Sequence, residues 1–340
     1  MEQRQHTWGD RRPITLNDIA REAGVSQSAA SVVLNGARSG TRISALRRRA
    51  VLEAAERMGY RPNALARSLT TGRTHRIGLY SGRSQLDSRN SFFAELLGGV
   101  LDGAAENKQN TMVHSSGWGE DGLLDLVSNR ALDGLVVHAS DDDPIIPLLC
   151  ELRVPAIAVA DRIEGLPSVI VDDEAGGELQ ARHLASLGHR HVLLKQFPGR
   201  SGSSTARMES LARTLEKLGI RATLRYETFA ENDGLDPSDI EILTEGPERA
   251  TAIVGWSDHV AQRICNRLDR IGLSIPGYVS VVGFDGFTHS ATPRHALTTI
   301  RAPWAQVGRQ AVTHLNALIE GQSVPDITVI PVEFVRGDTT

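Results

Sequence analysis

The chain has 340 residues, 40% of them hydrophobic, 23% charged and 4% aromatic, with a formal net charge of −4. That length suffices for two or three units, each with its own core, and no apolar run approaches the roughly 18 residues that span a bilayer. The opening MEQRQHTWGDRRP has no apolar segment of the secretory kind, so a cytoplasmic location is expected. Cys150 and Cys265 lie far apart, match no metal spacing and are read as small core residues of a reduced protein.

The small net charge conceals an asymmetry. Residues 1–76 carry 14 Arg and no Lys against six acidic residues, a net of +8, whereas the remainder carries 23 basic and 35 acidic residues, a net of −12. A basic head on an acidic body suits phosphate contact by one end of the molecule.

Residues 1–13 read as a disordered tail and 14–61 as a three-helix head. In ITLNDIAREAGVSQSAASVVLNG (14–36), Thr15 and Asp18 have the spacing of a capping box, and Ile19, Ala20 and Ala23 form an apolar face. Gly24-Val25 makes a turn, Ser26 caps a second helix running to about Asn35, and Gly36 stops it. Two short helices joined by a glycine turn can place the second in a major groove. A third helix starts at Ser44, with Leu46, Ala50, Ala54 and Met58 expected on its apolar face and Val51 and Ala55 beside them. Pro62 ends the head, and residues 62–74 form a linker too short to be a stable helix by itself.

From about residue 75, short β-branched runs such as RIGLY, DGLVVHA, VPAIAVA, HVLLKQF, TAIVGW and VSVVGFD alternate with helical stretches. This alternation predicts parallel sheets covered on both faces, too many strands for one sheet, and a break near 172–176 between two lobes. The expected fold class is an all-α helix-turn-helix head plus an α/β body of two doubly wound parallel-sheet lobes. The first lobe is placed at about 75–172 and 302–325, the second at about 176–300 and 326–338. Ligands of such sheets sit at the carboxyl ends of strands, which makes Ser81, His138, Asp161, Trp256-Ser257-Asp258 and Asp285 worth attention. Neither GxGxxG nor GxxxxGK[ST] occurs, and no cofactor is expected. His183, His189 and His191 cluster in sequence without metal geometry, and no nucleophile–base pair stands at a motif spacing, so the chain is not expected to be an enzyme.

The stretches ITLNDIAREAGVS, VVLNG, VLEAAERMGYRPNALARSL, DGLVV, LGHRHV, TAIVGWSD, SIPGYVSVVGFD, LTTIRAPWAQVGRQAV and PVEFVRG together give the chain a resemblance to the lactose-repressor (LacI/GalR) family of bacterial transcription regulators. The body also resembles periplasmic sugar-binding proteins. The resemblance implies a periplasmic-binding-protein-like body, a palindromic double-stranded DNA operator and a homodimer, the chain ending without a heptad tail. It implies repression controlled by a small molecule, a sugar or sugar derivative in the first instance. A purine effector, or a solute-binding protein, is the competing reading. It places DNA contacts at Thr15, Ser26, Gln27, Ser28, Ser31, Val32, Asn35, Arg38, Arg42, Tyr60, Asn63, Ala66, Arg67 and Leu69, with Leu69 wedged between the central base pairs. Val32 stands where the family more often has Arg or His, and Ala29-Ala30 replace its usual Thr-Val. The implied effector site comprises Ser81, Asn90, Phe92, Phe93, His138, Asp161, Arg207, Phe229, Trp256, Ser257, Asp285 and Trp304, with Arg207 and Asp285 as donor fork and acceptor pair for vicinal hydroxyls.

Overall fold

The structure, a computed structural model, describes residues 12, 14–35, 43–61, 68, 72–82, 90–115, 122, 125, 128–129, 131–199, 202–227, 234–287 and 294–340. The chain divides into two compact units, Met1–His75 and Arg76–Thr340. The tail at 1–11, the loop at 36–42 and most of the linker at 62–71 lie outside the described residues.

The first unit holds three helices: α1 (Leu16–Glu22), α2 (Gln27–Asn35) and α3 (Ala45–Met58). Thr15 and Asp18 close a reciprocal capping box at α1, satisfying two backbone donors that the helix leaves open. Gly24 takes φ of +61°, the left-handed conformation that lets α1 turn sharply into α2. Ile19, Ala20, Ala30, Val51, Ala54 and Ala55 form the buried core. The apolar stripe of α3 therefore follows 51, 54, 55 and 58, and Leu46, expected on it, is 73% exposed. Successive steps of four residues drift about 40° each around a helix, so a stripe that meets the core at Ala54 and Met58 leaves Leu46 rotated off it.

In the second unit, β1 (Arg76–Ser81), β2 (Asn110–Ser115), β3 (Gly134–His138), β4 (Ala156–Val159), β5 (Ser168–Val171) and β11 (Ile327–Ile330) form a six-stranded parallel sheet in the order β11-β5-β4-β3-β1-β2. Helices α4 (Ser91–Glu106), α5 (Ile145–Glu151) and α10 (Trp304–Ile319) belong to this lobe. A four-stranded parallel sheet, order β7-β6-β8-β9, is made by β6 (His191–Gln196), β7 (Arg221–Tyr226), β8 (Ala252–Gly255) and β9 (Ser280–Val282). It carries α6 (Asp173–Ser186), α7 (Gly202–Lys217), α8 (Pro237–Thr244) and α9 (Asp258–Arg270). The short antiparallel pair β10 (Thr299–Arg301) and β12 (Glu333–Val335) runs beside the second sheet, with bridges Val282–Thr298 and Asp285–Arg301.

Two sequence expectations are corrected here. Ile327–Ile330, assigned with 326–338 to the second lobe, pairs in register with β5 and belongs to the first sheet. The chain returns to the second lobe only afterwards, where Val281 donates to the Thr339 carbonyl. Cys150 is exposed, because it lies on the outer side of α5 while Ile145, Ile146 and Leu149 fill the core; Cys265 is buried.

In the first lobe α4 and α10 pack backbone to backbone. A Cβ on Gly99 would lie 1.9 Å from the Ala305 carbonyl oxygen, and one on Gly308 would lie 2.5 Å from that of Leu96. Trp304, Val307, Ala311, Val312 and Leu315 of α10 are thereby brought into the same core as Phe93, Leu96 and Val100 of α4.

Candidate functional site

On the head, Ser26 accepts the Ala29 N–H at 3.2 Å and caps α2, and its hydroxyl lies 3.0 Å from that of Ser28. Gln27 and Ser28 are exposed in the first turn; Ser31 and Val32, one turn on, are half-buried. Thr15 serves as the α1 cap, and Tyr60 packs against the head core. Asn35, expected at the DNA surface, is only 5% exposed, and its amide donates to Ser31 Oγ at 3.2 Å. It closes the helix inward instead of presenting itself outward. Arg38, Arg42, Asn63, Ala66, Arg67 and Leu69 lie outside the described residues.

In the body, contacts tie the strand ends of the two sheets together. Ser81 ends β1 with its hydroxyl 3.4 Å from His138 Nδ1 at the end of β3. The His138 ring packs at 5.1 Å on Phe92, which meets Trp304 edge-on at 4.7 Å. Trp304 Nε1 donates to Asp285 Oδ1 at 3.1 Å. Asp161, just past β4, accepts the Ser203 N–H at 2.7 Å in the first turn of α7, where the helix dipole favours a carboxylate. First-lobe and second-lobe strand ends thus meet at hydrogen-bonding distance.

Arg207 on α7 is 3% exposed. Its Nε donates to Asp173 Oδ1 at 2.9 Å, an Nη donates to the Trp256 carbonyl at 2.9 Å, and its guanidinium lies 3.6 Å over the Phe284 ring. Burial pushes the Asp173 carboxyl up to about 6 against the pull of Arg207. Burial likewise raises Asp285 well above the usual carboxylate range, with Arg207 opposing and Asp258 adding to the rise. Asp285 also adopts φ of 129°, a conformation an L side chain rarely takes. Backbone strain of that kind collects at binding sites, where the surrounding structure enforces it. Here the Asp285 N–H donates to Ile300 and its carbonyl accepts from Ala302, holding the loop at both sides.

Three of the expected cleft residues have other tasks. Phe93 lies 4% exposed in the first-lobe core. It sits on the inner side of α4, whereas its neighbour Phe92 reaches the cleft rings. Asn90 caps α4 by accepting the Phe93 N–H at 3.4 Å, and Ser257 caps α9 by accepting that of Val260 at 3.4 Å. Phe229 is outside the described residues. Sequence reasoning missed Asp173, which neutralises Arg207, and Glu227, fully buried after β7. Glu227 accepts Trp256 Nε1 at 3.0 Å and pairs with Arg263 at 2.7 Å. Asp173 had a signal in the acidic start of α6; Glu227 had none, since its partners lie 29 and 36 residues away. His191 opens β6 between the Glu248 carbonyl and the Thr223 hydroxyl, and His189 bonds Thr251, so both imidazoles serve the second sheet.

Comparison with known proteins follows the same two-part division. Residues 15–63 match the family model of bacterial regulatory proteins, lacI family, and residues 181–340 that of the periplasmic binding protein-like domain. The HTH-type transcriptional regulator GalR of Escherichia coli K12 is 30% identical over 328 residues, 92% of each chain. Among solved structures, a lac repressor dimer bound to operator and the anti-inducer ONPF aligns with a TM-score of 0.80 and 26% identity, over 96% of this chain and 99% of that one. A transcriptional regulator CelR–cellobiose complex aligns with a TM-score of 0.70 and 24% identity, over 97% and 100%.

Proposed function

Because the chain belongs to the LacI family of bacterial transcription regulators, we propose that it is an operator-binding homodimer whose grip on DNA is set by an uncharged polyol, a sugar or sugar derivative, held between the two lobes. The observation that carries the effector class is the charge of the cleft. Among the described residues its one buried guanidinium, Arg207, is already neutralised by Asp173, while Asp161, Asp258 and Asp285 add further carboxyls at the same strand ends. Sugar hydroxyls can donate to and accept from such carboxyls, whereas a sugar acid or phosphate brings a charge into a desolvated site where Arg207 is already paired. The rings of Trp256, Phe197 and Phe92 supply flat apolar faces suited to the C–H face of a sugar, and Trp304, itself 1% exposed in the first-lobe core, backs Phe92 from behind. The relative in complex with cellobiose agrees with that class.

Effector binding changes how the lobes close through the Asp161–Ser203 and Asp285–Trp304 contacts, and so the spacing of paired linkers that fold on the operator. Leu69 in the linker is proposed to wedge the minor groove. A Leu69→Ala change that moves operator affinity by less than about twofold would remove that element. The class is tested by a thermal-shift screen of neutral sugars, sugar acids, sugar phosphates and purines, followed by operator binding with and without the hit. Stabilisation by a neutral sugar, lost in Trp256→Ala, is expected; a hit confined to purines or sugar phosphates overturns it.

A further inference from the structure

The face of α2 turned away from the head core carries no ionisable group. The helix reads QSAASVVLN, and of its apolar side chains Ala30 is in the core while Val33 and Leu34 pack against it. Ala29 and Val32 do neither; they stay half-buried beside exposed Gln27 and Ser28. Ser28 and Val32, four residues apart, therefore stack on one outward ridge, and exposed Gln27 lies in the same first turn, about 100° round the helix from Ser28. The positive charge of this unit is placed elsewhere: Arg47, Arg48 and Arg49 are exposed on the first turns of α3.

That division limits which bases α2 can read. Guanine is selected chiefly by the double fork of Arg or Lys on O6 and N7, which this helix cannot offer. Gln27 can bond adenine N6 and N7 in a bidentate way, and a branched apolar side chain is suited to the C5 methyl of thymine. We infer that this head reads an A·T core in each operator half-site, Gln27 selecting an adenine and Val32 a thymine through its methyl group. The arginines of α3 add grip on phosphates without sequence choice. The inference rests on the regulator reading and deepens it by naming the determinants of operator choice.

The test starts with selection of duplexes from a randomised pool by the full-length protein. Uracil is then substituted for each thymine of the enriched half-site, which removes the methyl and nothing else. The expected core is A·T, and uracil at one position weakens binding about fourfold, the worth of one buried methyl. Val32→Ala abolishes that sensitivity, and Gln27→Ala relaxes the choice of adenine; neither side chain belongs to the head core, and melting of each variant checks its fold. An enriched G·C core, or uracil duplexes bound within twofold of the thymine ones, overturns the inference while leaving the regulator reading intact. A pool with no enriched sequence overturns both.

Discussion

The Asp285 carboxyl accepts the indole N–H of Trp304 at 3.1 Å, and this bond joins the end of the second sheet to the first residue of the helix that fills the first lobe's core. The carboxyl is buried and its proton affinity raised, while its backbone is held at a positive φ. One residue thus carries lobe contact, strain and a displaced ionisation equilibrium.

That displacement makes stability depend on pH. Asp173 and Asp285 both hold protons in the folded state that the unfolded chain, at about 3.9, releases. Unfolding therefore sheds protons, and stability from these groups is present below about pH 4 and lost as pH rises through the folded values, about 6 for Asp173. Asp285→Asn mimics the protonated form. Its Tm is expected to match the wild type near pH 4 and to exceed it at pH 8, flattening the profile measured by calorimetry. A parallel profile would show that Asp285 does not titrate in this range.

Lys195 and Asp239 form a fully buried ion pair, with Nζ 2.5 Å from Oδ2. Lys195→Met leaves the buried Asp239 carboxylate with only the partly exposed Arg225 at 3.6 Å and is expected to cost about 3 kcal/mol in urea unfolding, the lower end for breaking a buried pair. Lys195→Met with Asp239→Leu removes both charges and regains most of the loss. Equal stability of the single and double variants contradicts this account.

Gly99 has no room for a side chain, its notional Cβ falling 1.9 Å from the Ala305 carbonyl oxygen. Gly99→Ala pushes α4 and α10 apart and is expected to cost about 1–3 kcal/mol, the usual range for overpacking. Gly98→Ala, with open space at the same helix, is the control and should raise stability slightly through helix propensity.

Thr15→Ala removes one half of the α1 capping box and is expected to destabilise the head by about 1 kcal/mol. The change should appear as faster amide exchange in α1, with the melting of the second unit unaltered. An unchanged exchange rate would mean that the Asp18 half of the box holds α1 unaided.

The sequence by itself determined the elements and their signals. Capping residues, Gly24 and the strand–helix alternation are local, so Thr15, Ser26, Ser44 and the parallel sheets were legible from spacing and residue type. Asp285 was legible as a strand end, and Arg207 only through family resemblance. Tertiary structure decided what no local pattern contains: that Ile327–Ile330 crosses back to the first sheet, that Asp173 neutralises Arg207, and that Glu227 holds the Trp256 indole. It also decided which neighbour faces the core, separating Phe92 from Phe93 and turning Asn35 inward while Val32 stays out. Periodicity gives the phase of a helix to within tens of degrees; packing against a partner element fixes the remainder, and with it which side chains are left to meet DNA or a ligand.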